Sequence, residues 1–237
     1  CQAIVTSKAS VSDNLVSDGS DNGVVQVYVN YSNGSFTSAS GALLAQGGGQ
    51  YVITSAHLLT NNLGQIDIMS SSVRFQRDNV VSSHNFFFAN TESIFVSPLW
   101  DGTYRSGADL AIVKLQNKAP PDIPRYELGN SPILPVVANF VGWGNYGLSG
   151  LGEINNTTGY FRLSGTNRID SRWGQDLGRA YALDFDNGEH ANDAFGFFLP
   201  SLSDIGTENE VMIASGDSGS PIFVNNKIVG IVTFSGR

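Results

Sequence analysis

Ser218 stands in a segment whose composition suits a catalytic nucleophile, Gly216-Asp217-Ser218-Gly219-Ser220-Pro221. The glycines on either side of the serine allow a tight turn that exposes the hydroxyl and points successive backbone N–H groups at one place. A serine hydroxyl is a weak nucleophile at neutral pH and needs a neighbouring base. The segment therefore indicates acyl-transfer chemistry, provided that the chain supplies that base.

Two further segments supply an imidazole and a carboxylate. His57 follows the apolar run 51–55, and Asp109 directly precedes the apolar run 110–115. Taken alone, each has an ordinary structural interpretation, His57 as a core histidine and Asp109 as the residue that starts a strand. Taken with Ser218, the imidazole can accept the serine proton, and the carboxylate can orient the imidazole.

The elements that must position these residues are predicted to be strands. Short apolar bursts are separated by clusters of Gly, Asn and Ser, and helical periodicity is nearly absent. The predicted strands span 24–31, 40–45, 51–55, 66–69, 110–115, 136–141, 222–224 and 228–234. The proline-rich stretch 118–124 breaks helices and central strands alike, so it is predicted to connect two β halves. The fold class is therefore all-β.

Composition limits the class of protein. The chain has 237 residues, enough for one or two domains with a buried core. Its 13 Lys and Arg against 21 Asp and Glu give a net charge of −8, which argues against a nucleic-acid or anionic-lipid partner. No apolar run reaches the roughly 18 residues of a membrane-spanning helix. Because Cys1 is the only cysteine, no disulfide within the chain can hold the fold together.

The three segments, in the order His57, Asp109, Ser218, resemble those of the chymotrypsin-like (trypsin-fold) serine proteases. Gly142-Trp143-Gly144 and the segments 41–44 and 230–236 are similar to other landmarks of that family, so the resemblance covers about residues 24–236. The cysteine-poor core and the serine at position 220 favour a bacterial secreted member.

The resemblance implies two antiparallel β-barrels of the chymotrypsin type with the active site between them. It implies a serine endopeptidase in which Ser218 attacks the peptide carbonyl, His57 takes the proton and Asp109 holds the other ring nitrogen. The backbone N–H groups of Gly216 and Ser218 would form the oxyanion hole. Such an enzyme needs no cofactor or metal, and its partners are protein or peptide substrates. The alternative is a catalytically silent, protease-like binding protein.

The expected domain division has four parts. Residues 1–23 form an N-terminal surface segment, 24–118 the first barrel, 119–133 a connector and 134–237 the second barrel. The family normally continues with another strand and a helix. The second barrel is therefore expected to be clipped at Arg237, unless this branch closes its pocket differently.

The sequence departs from the family in two further places. Animal members have a cysteine pair where Leu58 and, by alignment, Ala39 stand here, and an apolar pair can fill that volume without a bond. Many members also start with an Ile-Val terminus that pairs with the Asp before the nucleophile. Ile4-Val5 is expected to serve Asp217 in this way if the chain is cut after Ala3; otherwise Asp217 needs a partner that the sequence does not name.

Substrate preference depends on the pocket positions that the resemblance assigns, which are Met212, Ile213, Thr233, Phe234 and Ser235. No acid stands at the pocket floor, and a buried cationic side chain would need one. Apolar or medium-sized substrate side chains are therefore expected. Glu208 and Glu210 lie close in sequence and leave open an acid supplied from elsewhere, as self-cleavage after Arg237 would require.

Two remaining segments have alternative interpretations. Cys1 is a lipid-bearing first residue, or the tripeptide 1–3 is the end of a cleaved signal sequence, or the boundary is arbitrary. The expected location is secreted or extracytoplasmic, in the periplasm or at the cell surface, and the expected state is monomeric. The acidic segment 184–189 does not match the spacing of a Ca²⁺ loop and is interpreted as a polar surface turn.

Overall fold

The computed structural model describes residues 4–6, 14–15, 19–77, 85–148, 152–154, 161–173, 180–186, 193–198 and 210–233. The described chain is mainly strand, with one short α-helix and short 3-10 turns. The first strand, β1 (Ile4–Thr6), is followed by six strands that build a barrel. These are β2 (Val24–Tyr31), β3 (Phe36–Leu43), β4 (Tyr51–Thr54), β5 (Ile68–Gln76), β6 (Phe86–Val96) and β7 (Ala111–Leu115).

The six strands close in the order β2-β3-β4-β7-β6-β5, and all neighbours are antiparallel. Strand β7 shows why the sequence closes this way, because its residues alternate between buried and half-buried. Val113 and Leu115 enter the barrel core, whereas Ile112 packs against a second apolar cluster outside the barrel. The barrel wall is thus covered on both faces where it meets the second half of the chain.

The second half contains shorter strands. They are β8 (Val136–Gly142), β9 (Tyr146–Leu148), β10 (Gly152–Ile154), β11 (Leu163–Ile169), β12 (Ser171–Trp173), β13 (Ala180–Ala182), β14 (Val211–Met212), β15 (Pro221–Val224) and β16 (Lys227–Ile231). One sheet has the order β11-β8-β15-β16, a second has the order β10-β9-β1-β14, and β12 pairs with β13. The helix α1 (Ala194–Phe198) lies between β13 and β14 in sequence.

The expectation that residues 1–23 run over the surface is wrong for Val5, Thr6 and Asn14, which are buried, whereas Leu15 and Ser20 are exposed. Strand β1 lies between β9 and β14, and Val5 and Thr6 are buried. Asn14 is buried as well, and its side-chain amide donates to the Ser164 carbonyl at 2.8 Å. The polar composition of the neighbouring residues hid a short β-branched strand that completes a sheet of the second half.

The two halves meet at an apolar cluster that includes Ile53 of the barrel and Trp143 and Phe223 of the second half. Trp143 is fully buried, and its indole N–H donates to the Val24 carbonyl at 2.9 Å. Because the same cluster takes side chains from both halves, the ends of β4, β7 and β8 are held close to one another. In the described ranges, no helix is long and apolar enough to cross a membrane.

Candidate active site

The pairing of β4 with β7 brings His57 and Asp109 together. Thr54, near the end of β4, is paired with Ala111 at the start of β7, so the residues just beyond these ends share one rim of the barrel. His57 lies in the 3-10 turn Ala56–Leu58 that follows β4, and Asp109 lies two residues before β7. The two side chains are separated by 52 residues in sequence but are in direct contact.

Asp109 holds His57 at two points. Its Oδ2 lies 2.7 Å from the His57 ring nitrogen Nδ1, and its Oδ1 accepts the His57 backbone N–H at 2.8 Å. The Thr233 hydroxyl donates a third hydrogen bond, to Oδ2. Because a carboxylate only accepts hydrogen bonds, the proton on His57 is placed at Nδ1, which leaves Nε2 as the basic nitrogen.

These hydrogen bonds keep the Asp109 carboxylate ionised in a buried position. Burial by itself raises the pKa of the carboxyl group, but the hydrogen bond and charge interaction with His57 and the hydrogen bond from Thr233 outweigh it. The pKa of Asp109 therefore lies below its ordinary value of 3.8. The His57 side chain retains 21% exposure, so the ring is anchored on its buried side and open to solvent on the other.

The segment around Ser218 folds as two successive four-residue turns that share Asp217. The Asp217 N–H donates to Ala214 at 2.9 Å, and the Ser220 N–H donates to Asp217 at 2.8 Å. The third residue of each turn is a glycine with positive φ, +92° at Gly216 and +82° at Gly219, as type II turns require. In the described part of the chain, no group accepts a hydrogen bond from the N–H of Gly216 or Ser218, so both donors are available to a ligand.

Asp217 is buried beneath this turn and is held by backbone donors. Its Oδ1 accepts the Gly144 N–H at 2.9 Å, and its Oδ2 accepts the Ala214 N–H at 3.1 Å. A Cβ at Gly142 would lie 2.0 Å from Asp217 Oδ1, and a Cβ at Gly144 would lie 2.7 Å from its carboxyl carbon. The glycines of the Gly-Trp-Gly segment are therefore needed for the carboxylate to approach the backbone.

Backbone contacts link the turn that carries Ser218 to β3 and to the segment that contains Thr233, whose hydroxyl donates a hydrogen bond to Asp109. The Ser218 carbonyl accepts the Ser40 N–H from β3 at 2.9 Å, and the Gly219 N–H donates to Val232 at 2.8 Å, next to Thr233. Within the described residues, the Ser218 hydroxyl and His57 form no hydrogen bond with each other. The structure thus joins the segments that carry all three candidate residues.

A cavity of about 640 Å³ adjoins Asp109 and extends into the second half of the chain. Met212, Ile213 and Thr233, which the resemblance assigns to the substrate pocket, line this cavity, whereas Phe234 and Ser235 lie outside the described residues. The rest of its lining is mainly apolar and includes Phe140, Tyr181, Ile222, Val229 and Val232.

Two charged residues occur in the described lining of this cavity, Asp109 and Arg172. Asp109 is already bound to His57, and the Arg172 guanidinium donates to the Ser131 hydroxyl. Glu210 is buried away from the cavity, where it accepts the Asp186 N–H at 3.1 Å, and Glu208 lies outside the described residues. The described lining therefore offers no unengaged acid for a basic substrate side chain.

Comparison with known proteins decides the family. The family model named Trypsin matches residues 17–237, nearly the whole chain. The chain belongs to the trypsin family. A search of curated protein sequences found no match.

Solved structures similar to this trypsin-family chain show the two-barrel chymotrypsin fold. A structure of GrC has a TM-score of 0.62 at 14% identity over 94% of this chain and 87% of that one. Neuropsin, a serine protease of mouse brain, has a TM-score of 0.60 at 17% identity over 93% and 85% of the two chains. HL collagenase has a TM-score of 0.62 at 14% identity over 94% and 85%.

Three residues near the trypsin-family site were missed, or assigned another role, by the sequence interpretation. Thr233, assigned to the substrate pocket, also donates to Asp109. Tyr104 lies edge-on to the His57 ring, with centroids 5.5 Å apart, and lines the cavity. Ser40 binds the turn that carries Ser218. No local pattern distinguishes these residues, since their roles depend on contacts between distant segments.

The two apolar residues at the family's cysteine positions both belong to the core of the first barrel. Leu58 is 6% exposed and Ala39 is 1% exposed. Their side chains thus occupy buried volume without a covalent bond, as the sequence predicts.

The described part of the acidic segment 184–189, residues 184–186, does not form the exposed surface turn that the sequence predicts. Asp186 and Asp193 are buried, and together with Asp184 they bring carboxylate oxygens within 4.8 Å of one another. Asp184 accepts the Phe195 N–H at 2.7 Å, and Asp193 accepts the Gly196 N–H, both in the short helix α1. The Asp184 and Asp193 carboxylates therefore bind backbone donors of the helix, the contact that acidic residues make at helix N-termini.

Proposed function

We propose that this chain is a serine endopeptidase that hydrolyses peptide bonds through Ser218, His57 and Asp109. The observation that carries the proposal is the two-point attachment of His57 to Asp109 at 2.7 and 2.8 Å. A ring held in this way has one tautomer and one orientation, with Nε2 free to accept a proton. That is the state in which a histidine can activate a serine hydroxyl.

The proposed reaction has two steps. The Ser218 hydroxyl oxygen attacks the carbonyl carbon of the substrate while its proton passes to His57 Nε2, and the same proton then goes to the leaving amine as the C–N bond breaks. A water molecule, deprotonated in turn by His57, attacks the carbonyl carbon of the acyl-enzyme; the ester bond to Ser218 then breaks, His57 returns the proton to the serine oxygen, and the carboxylic acid product leaves. The buried Asp109 carboxylate stabilises the imidazolium in each step and remains ionised because its pKa is lowered.

The negative charge that develops on the carbonyl oxygen needs donors that are already in place. The N–H groups of Gly216 and Ser218 are proposed to be these donors. They lie on either side of Asp217 in the double turn, and neither has an acceptor among the described residues. Preorganised donors of this kind favour the transition state over the bound substrate, since the charge appears only as the bond forms.

The cavity beside Asp109 is proposed to bind the substrate side chain that precedes the cleaved bond. Its volume and its apolar walls, which include Met212 and Ile213, suit a large apolar side chain. A lysine or arginine side chain would lose its hydration there without meeting an unengaged acid among the described lining residues. The described residues give no observation that favours the alternative of a silent binding protein.

A fluorophosphonate probe tests the proposal because it reacts with an activated serine and requires no knowledge of the substrate. The wild-type protein is expected to be labelled at Ser218, and the Ser218→Ala variant is expected to lose the label. Ser70→Ala is a matched control, since Ser70 is an exposed serine on β5 in the first barrel. A folded wild-type protein that resists the probe would refute the enzyme assignment.

A further inference from the structure

The two N–H donors proposed for the oxyanion hole are separated by the peptide that joins Gly216 to Asp217. The orientation of this peptide determines where both donors point, because it sets the torsion angles on either side. Gly216 has a positive φ and no side chain, so its own conformational preferences do not fix the peptide. Hydrogen bonds to the polar groups of this peptide must therefore hold it.

Ser40 supplies such a contact from the opposite barrel. Its hydroxyl donates to the Gly216 carbonyl oxygen at 2.9 Å, and this carbonyl belongs to the peptide in question. The N–H on the other side of the same peptide, that of Asp217, donates to Ala214 at 2.9 Å. The peptide is thus fixed at both of its polar groups, once by its own turn and once by β3.

The other polar groups of Ser40 are also engaged. Its hydroxyl oxygen accepts the backbone N–H of Trp143 at 3.0 Å. The Ser40 backbone N–H donates to the Ser218 carbonyl at 2.9 Å, and the Ser40 carbonyl accepts the Thr54 hydroxyl at 2.7 Å. Ser40 is fully buried, so water does not compete for these bonds. Because the hydroxyl oxygen accepts the backbone N–H of Trp143, the hydroxyl hydrogen points to the Gly216 carbonyl.

The double turn packs closely against β3 at Gly219. A Cβ on Gly219 would lie 2.2 Å from the Ser40 carbonyl oxygen and 2.3 Å from the Thr54 hydroxyl. The double turn therefore lies directly against β3, and Ser40 contacts it on both sides of Ser218.

We propose that the Ser40 hydroxyl is a positioning group for the oxyanion hole: it fixes the Gly216–Asp217 peptide so that the N–H groups of Gly216 and Ser218 converge. This inference rests on the proposed function. Without the hydroxyl, the Gly216 carbonyl and the Trp143 N–H lose their shared partner, and the peptide between the two donors becomes free to rotate.

The test compares Ser40→Ala with Ser40→Thr, which keeps a hydroxyl, and with Ser38→Ala, a serine on the same strand. Hydrolysis of p-nitrophenyl acetate gives kcat and KM without depending on the substrate pocket. Loss of a direct oxyanion donor costs about 10²–10³-fold in kcat, so loss of a positioning group is expected to cost about 10- to 100-fold. KM is expected to change by less than about threefold, because the ground-state ester does not need the converged donors.

Ser40→Thr is expected to keep most of the wild-type kcat, and Ser38→Ala all of it. A thermal melt of each variant tests whether the protein is folded. If Ser40→Ala does not fold, Ser40→Gly replaces it, because glycine leaves space for a water molecule between the Gly216 carbonyl and the Trp143 N–H. A folded Ser40→Ala or Ser40→Gly variant with wild-type kcat would overturn the inference, as would equal losses in the alanine and threonine variants. A wild-type protein that neither hydrolyses the ester nor reacts with the fluorophosphonate would instead overturn the proposed function.

Discussion

Replacing Asp109 by asparagine changes the tautomer of His57 with little change in shape. The backbone N–H of His57 can only donate, so the asparagine oxygen must take the place of Oδ1, which accepts it at 2.8 Å. The amide NH₂ then faces His57 Nδ1 from the place of Oδ2, at 2.7 Å. Nδ1 must therefore accept, the ring proton moves to Nε2, and the base that Ser218 needs is lost.

The expected loss in kcat is about 10⁴-fold, or about 5 kcal/mol of transition-state stabilisation. The fold should survive, because the Thr233 hydroxyl can rotate to suit the amide and the side-chain volume is unchanged. Initial rates with p-nitrophenyl acetate measure the loss, and a thermal melt verifies folding. Asp101→Asn is the matched control, since Asp101 is an exposed carboxylate in the preceding loop. An Asp109→Asn variant with more than a tenth of the wild-type kcat would refute the tautomer argument.

The wild-type protein and the Asp109→Asn variant are also expected to differ in how their thermal stability depends on pH. Burial raises the pKa of Asp109, but its interactions with His57 and Thr233 lower this pKa by more than burial raises it. The pKa of Asp109 in the folded protein therefore lies below the ordinary value of 3.8. Because the pKa is lower in the folded protein than in the unfolded chain, the ionised carboxylate stabilises the fold at pH values above the unfolded-state pKa. This stabilisation is lost as the pH falls through the folded-state pKa. The difference in melting temperature between wild type and Asp109→Asn should therefore narrow from pH 7 to pH 3, and a difference that widens would contradict it.

Two further substitutions test the turn and the cavity. Gly219→Ala places a Cβ 2.2 Å from the Ser40 carbonyl oxygen at a φ of +82°, and it is expected to abolish fluorophosphonate labelling. Gly34→Ala is the control, because Gly34 has a φ of +84° but no atom within 4 Å of the added Cβ. This control carries only the backbone strain of about 1–2 kcal/mol and should keep full labelling. Met212→Asp adds an acid to the apolar cavity and should raise the ratio of kcat/KM for lysine over phenylalanine peptide esters by at least about tenfold. An unchanged ratio would place the substrate side chain elsewhere.

Much of the fold was predictable because its signals are local. Short apolar bursts bounded by turn residues gave strand β2 its observed bounds, and they gave β4, β7 and β8 to within a residue or two. Strand β6 was missed because the residues in its middle, 90–93, are polar, although half-buried and exposed residues alternate along most of the strand. Strand β11, whose burial alternates throughout, was missed because its residues Ser164, Gly165, Thr166 and Asn167 are typical of turns, although Gly165 and Asn167 point into the interior.

The sequence by itself determined the chemical groups and the local turn geometry. Ser218 lies between two glycines, which adopt the positive φ of successive type II turns without steric cost, and such preferences act within four residues of chain. The order of the histidine, aspartate and serine segments also indicated the family that the comparisons show.

Only the tertiary structure decided which groups meet. The contact of Thr233 with Asp109 spans 124 residues, and that of Ser40 with Gly216 spans 176. Such contacts follow from strand pairing and from the packing of one barrel against the other, and a serine or threonine has the same local preferences whether or not it makes them. Hydrogen bonds between distant segments are fixed by the whole core at once, which is why the residues that position the site could not be distinguished in the sequence.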